Sequence, residues 1–137
     1  MAAARYLVDS DVCSKALRKG HSSLMNVLNT IRQDGLAISV VTYGEVTEGV
    51  LFSRNRAVDQ QLWRDFLAGF DIIDVTMEIA EVWADVRGSL RKQGNIVPDN
   101  DLLIASTALR FGMTVVTGNE RHFGRVPGLD LLLPERP

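Results

Sequence analysis

VPDNDLLIASTALRFGMTVVT (residues 97–117) decides how this chain folds. From Leu102 onward, apolar and small residues run at helical density, Gly112 is the residue type that ends a helix, and MTVVT (113–117) is a β-branched run. The pattern predicts a helix that starts beside Asp99, runs to Gly112 and feeds straight into a strand. A helix handing the chain to a strand with almost no connection is half of a βαβ unit. Two carboxylates, Asp99 and Asp101, stand at the start of that helix, where one capping residue is enough.

The same alternation extends in both directions. RYLV (5–8) is a short apolar run cut off by the polar DSD, which reads as a buried strand with Asp9 at its carboxyl end. Leu24, Val27, Leu28 and Ile31 recur at helical spacing before QDG breaks the pattern. LAISVV (36–41) then resumes as a strand, and Thr42 opens the next helix. Leu62, Phe66 and Leu67 mark a helix around 58–70, and DIIDV (71–75) is a third strand. Ile79, Val82, Trp83, Val86 and Leu90 form the apolar face of a long helix closed by KQGN. LDLLLP (129–134) reads as a fifth strand at a sheet edge, where its proline is harmless. Short connections between alternating strands and helices predict an α/β fold, a three-layer sandwich with helices on both faces of a mainly parallel central sheet of about five strands.

With 137 residues, 46% apolar and 23% charged, the expectation is one domain over 1–137 with a true core. The opening MAAARYLVDS lacks an apolar signal region, and no run of about 18 apolar residues occurs, so neither a signal peptide nor a membrane span is expected. The lone Cys13 forms no intramolecular disulfide and no cysteine-rich zinc site; packing is its expected role, and the cytoplasm the expected location. A net charge of −2 lacks the signature of a general nucleic-acid binder, although Arg54 with Arg56, Arg87 with Arg91 and Lys92, and Arg121 with Arg125 form local basic groups. For each group the simpler reading is a solvated helix face.

In a parallel sheet the ligand site lies beyond the carboxyl ends of the strands. Asp9 ends the first strand, and Glu45 is one turn into the helix leaving the second. The helix from Asp101 to Gly112 delivers the chain to the bottom of the fourth strand; at about 1.5 Å per residue it spans the roughly 18 Å of a strand layer, so Asp101 is at the top. The fourth strand exits at VVTGNERHF, which places Thr117 and Asn119 on the same rim. Each acid has a local explanation: Asp9 as a turn former, Glu45 in a capping box opened by Thr42, and Asp99 or Asp101 as a helix cap. None accounts for the convergence. Carboxylates crowded on one rim raise each other's pKa or recruit a cation, and an all-oxygen set suits Mg²⁺, or Mn²⁺, far better than zinc. Such an ion activates water and neutralises charge on a phosphodiester, which points to hydrolysis of a phosphate ester or a nucleic-acid backbone.

At this point YLVDSDV, TYGEV, PDNDLLIASTAL and VVTGNERHF followed by VPGLDLL resemble, in order and spacing, the PIN-domain ribonucleases, and most closely the VapC toxins of bacterial toxin–antitoxin pairs. The resemblance spans nearly the whole chain. It implies that Asp9, Glu45 and Asp101 are the main metal-binding and catalytic acids, that Asp99 is an auxiliary metal acid, and that Ser10, Asp11 and Thr117 support them. The family often carries a fourth acid after the fourth strand, where this chain has Asn119 or His122; Asn119 would then orient a water or a phosphate instead. The resemblance further implies cleavage of single-stranded RNA, a homodimer, and a small antitoxin that covers the site.

Two other readings compete. YLVDSDV also fits the D-x-D start of the haloacid-dehalogenase-like phosphatases, but that family needs its strand-terminal Ser or Thr and a lysine before the final acidic pair, whereas VVTG follows PDND here. A PIN-like domain that binds RNA or a partner without cutting is the second. Trp63 and Trp83 lie on apolar helix faces, so packing is expected of them rather than base stacking. His21 and His122 lack a paired acid pattern; His122, in the loop on the rim, is the better candidate for touching RNA.

Overall fold

The computed structural model describes residues 4–18 and 22–135. Its elements in chain order are β1 (Tyr6–Val8), α1 (Ser10–Ala16), α2 (Ser22–Ile31), a 3-10 turn (Arg32–Asp34), β2 (Leu36–Ser39), α3 (Val40–Leu51), α4 (Arg56–Phe66), β3 (Phe70–Ile73), α5 (Met77–Lys92), α6 (Asp99–Phe111), β4 (Thr114–Val116), α7 (Glu120–Phe123) and β5 (Leu131–Leu132). The strands form one sheet in the order β3-β2-β1-β4-β5, and every neighbouring pair is parallel. The expected mainly parallel sheet is thus parallel throughout the described residues. From β1 the chain winds outward through β2 to β3, then crosses to β4 on the other side of β1. The topological switch point lies between β1 and β4, the place where open α/β sheets build their sites.

The pleat sorts the core into two halves, because successive strand residues point to opposite faces. Leu7, Ala37 and Val115 face α5 and α6, packing against Leu90, Leu102, Ile104 and Ala105. Val8, Ile38 and Val116 face α1 to α4, packing against Val12, Cys13, Leu28, Val46 and Trp63. This is the three-layer sandwich the alternation predicts. Cys13 and Trp63 are core residues as expected, and the Trp63 Nε1–H donates to Thr47 Oγ1 at 3.1 Å. Trp83 is half-buried against the other cluster. His21 lies outside the described residues. Among those described, no helix is long and apolar enough to cross a membrane.

Two helix starts differ from the sequence reading. The second strand ends at Ser39, whose Oγ accepts from Val41 N at 3.1 Å and caps α3. Thr42 is therefore buried inside the helix and opens no capping box with Glu45; a serine at the strand end takes the cap three residues earlier. Asp99 does not cap α6 either. Pro98 occupies the cap position with no side-chain hydrogen bond, Asp99 is the first helical residue, and its Oδ1 accepts from Arg87 Nε at 2.9 Å. At the other end Gly112 is left-handed (φ 65°) and hands the chain to β4 as expected. α5 runs antiparallel to α6: Arg87 meets Asp99 at one end, and Glu78 feels the charge of Arg110 at the other.

Candidate metal and active site

Asp9 leaves β1 at the switch point, its backbone N–H donating to Val116 O at 3.0 Å. Its Oδ1 accepts from Val12 N at 2.8 Å and caps α1, while Oδ2 accepts a short hydrogen bond from the Thr117 hydroxyl on the neighbouring strand end. The residue is 3% exposed. Burial pushes its carboxyl up to about 6 from the usual 3.8; the Thr117 and Val12 donors oppose that, and the charges of Asp11 and Asp101 add to it. The local reading of Asp9 as a turn former is thus half of its role, since it caps a helix and also stands in the field of two other acids.

Glu45 stands one turn into α3 and is exposed. Its Oε1 accepts from Ser10 Oγ at 2.7 Å, with Thr42 Oγ1 3.1 Å from the same serine oxygen. Its Oε2 receives a longer contact, 3.4 Å, from Asn100 Nδ2 in the first turn of α6. Asp101, in that same turn, has Oδ2 at 2.7 Å from His122 Nδ1, a contact that needs the imidazole proton on Nδ1. His122 is held in turn by Asn119, whose Oδ1 accepts from His122 N at 3.2 Å. Asn119 N donates to Thr117 Oγ1 at 2.9 Å. A continuous path of hydrogen bonds therefore runs from Asp101 through His122, Asn119 and Thr117 to Asp9.

Asp9, Ser10, Glu45, Asp101, Thr117, Asn119 and His122 are thus gathered on one rim from four separate segments. Asp11, exposed in the first turn of α1, reaches the group only through the charge that Asp9 feels. Asp99 is engaged by Arg87 instead. Sequence reasoning missed Asn100 as a donor to Glu45, although its place between Asp99 and Asp101 was visible. It also missed the pairing of His122 with Asp101, which depends on how α7 folds back.

The donor set fits a hard divalent cation. It is all oxygen, and one of its members is a buried carboxyl whose ionisation is opposed by burial and by like charge. Each acid is turned to a neighbouring donor, and among the described residues no three His, Cys, Asp or Glu side chains are grouped closely enough to hold an ion as they stand.

A PIN-domain family model matches residues 6–129, and the chain belongs to that family. Its relatives include Ribonuclease VapC2 of Rickettsia felis, 33% identical over 127 residues that cover 92% of this chain and 95% of the relative. Ribonuclease VapC10 of Mycobacterium tuberculosis is 37% identical over 118 residues, covering 85% and 84%. The crystal structure of VapBC2 from Rickettsia felis bound to a DNA fragment from its promoter matches with a TM-score of 0.87 at 32% identity, covering 93% of this chain and 96% of that one. Family membership removes the phosphatase reading, as the motif order anticipates.

Proposed function

We propose that this chain is a divalent-metal-dependent endoribonuclease that hydrolyses RNA phosphodiester bonds, and that it is the toxin of a toxin–antitoxin pair. One observation carries the reading: Asp9, Glu45 and Asp101, from β1, α3 and α6, converge at the switch point of a fold shared with VapC ribonucleases. These three acids hold Mg²⁺ or Mn²⁺. When bound, the cation supplies charge neutralisation at the phosphodiester and acidifies water. The chain's other residues fix the acids: Thr117 and the Val12 amide orient Asp9, Ser10 and Asn100 orient Glu45, and His122 with Asn119 orients Asp101. Asp99 serves to hold Arg87 rather than the ion.

The partner is a small VapB-like antitoxin. A groove of about 530 Å³ between α1, α3 and α4, lined by Val46, Val50, Val58 and Leu62 with Arg18 and Asp59 at its polar edge, fits an amphipathic segment of such a protein. The toxin acts as a homodimer in the cytoplasm. Inducible expression, with cleavage sites mapped across cellular RNA, tests the reading. It predicts growth arrest and discrete cuts that disappear when the neighbouring gene's product is co-expressed. Intact RNA with normal growth at full expression contradicts it.

A further inference from the structure

Arg87 is held by an acid on one side and an aromatic ring on the other. Its Nε–H donates to Asp99 Oδ1 at 2.9 Å, and its guanidinium carbon lies 5.1 Å from the centre of the Trp83 ring. The two contacts fix the plane of the fork. Its terminal amino groups have no further partner among the described residues, and the side chain is 37% exposed. Arg91 is one turn further along the same face of α5, and both line a small cleft with Leu90, Ile96, Val97 and Leu102. Arg125 crosses to this cleft from the loop after α7, its Nη1–H donating to Ile96 O at 2.7 Å. Ile96, 71% exposed, thus lines the cleft with two arginines and is tied through its carbonyl to a third.

This basic cleft and the acidic site meet at the first turn of α6, where Asp99 and Leu102 face the cleft and Asn100 and Asp101 face the acids. Asp99 is followed directly by Asn100 and Asp101, and Arg125 is three residues beyond His122. Acids that attract a metal repel phosphates, so a strand reaching them needs cations beside the cleaved bond, and a molecule of net charge −2 must supply them locally. A planar fork with free outer donors matches phosphate oxygens.

We propose that Arg87, Arg91 and Arg125 form a track for the phosphate backbone of single-stranded RNA leading to the acid site, with Arg87 as its fixed anchor. The track rests on the ribonuclease reading. The test uses the full chain carrying Asp101→Asn and a fluorescein-labelled single-stranded RNA of mixed sequence, with anisotropy followed over a range of NaCl concentrations. Adding Arg87→Ala weakens binding about fivefold and lowers the salt slope by about 0.7 for the lost contact. Arg91→Ala does the same, and since the Arg91 side chain makes no hydrogen bond among the described residues while its backbone carbonyl bond to Gly94 N is kept in the variant, its effect is not one of misfolding. Arg110→Ala, at the far end of α6, changes neither. With Asp101 intact, Arg87→Ala raises KM for cleavage and leaves kcat within about twofold. Unchanged affinity and slope in both arginine variants overturn the track. So does unchanged RNA binding accompanied by loss of antitoxin binding or by a change of oligomeric state, which would make the cleft a protein interface. If the wild type cuts RNA and only these variants behave as wild type, the track alone fails; if the wild type neither binds nor cuts, the ribonuclease reading fails and the track with it.

Discussion

Asp9 does two things with one carboxylate. It caps α1 through Val12 N and contributes charge to the rim, and its burial sets these roles against each other. Its carboxyl is pushed up to about 6 from 3.8, so the folded protein holds that proton more tightly than the unfolded chain does. The stabilisation from the proton is complete below about 3.8 and is lost as pH rises through about 6. In metal-free protein at pH 8, Asp9→Asn should therefore be more stable than wild type by on the order of 2 kcal/mol, with the gap closing as the pH falls toward about 4. The amide can still accept from Val12 N, so the cap survives. Melting curves in EDTA at both pH values check this, and identical melting at pH 8 contradicts it. Added Mg²⁺ should raise the wild-type melting temperature and leave that of Asp9→Asn unmoved.

At the scale of elements, the rim depends on where α3 and α6 start. Ser39 fixes α3, so Ser39→Ala should cost about 1 kcal/mol, whereas Thr42, inside the helix, contributes no cap. Gly35 sets the approach of β2 to β1: its φ is 89°, and a Cβ there would stand 2.8 Å from the Ala4 Cα. Gly35→Ala should accordingly destabilise by about 2 kcal/mol or more, read as a lowered denaturation midpoint, and a neutral result would contradict the close approach. The strands, the order of the longer elements and the descent of α6 to Gly112 were legible because apolar periodicity and a terminal glycine are local signals; α1, which reads as a polar turn after RYLV, and the short α7 were not. That Asp9, Glu45 and Asp101 share a rim was legible from the same topology. The two helix caps were not, because serine, threonine, aspartate and proline near a boundary all read as caps and only the backbone path selects one. The pairing of Asp99 with Arg87 and of Asp101 with His122 joins residues 12 and 21 positions apart. No periodicity encodes such pairs; they follow from the antiparallel packing of α5 on α6 and from the fold of α7.

Across the whole molecule, acidic, basic and apolar surfaces are divided. The acids occupy the switch point, the arginine cleft lies between α5 and the first turn of α6, and the apolar groove lies between α1, α3 and α4. RNA cleavage and antitoxin binding should consequently separate by mutation. Leu62→Asp, placing a charge in the groove on a residue already 45% exposed, should weaken antitoxin binding by about tenfold or more while RNA cleavage stays within about twofold of wild type. Pull-down with the neighbouring gene's product, paired with a cleavage assay, reads both; joint loss would place the groove in the cleavage machinery. The central claim, that Asp9, Glu45 and Asp101 hold a divalent ion for RNA hydrolysis, is tested most directly by cleavage of a labelled structured RNA by the purified chain. Cutting should require Mg²⁺ or Mn²⁺, stop in EDTA, and fall by about a hundredfold or more in Asp9→Asn and in Asp101→Asn. Equal cutting by wild type and both variants would place the chemistry elsewhere, and no cutting by the metal-loaded wild type would leave a domain that binds without cleaving.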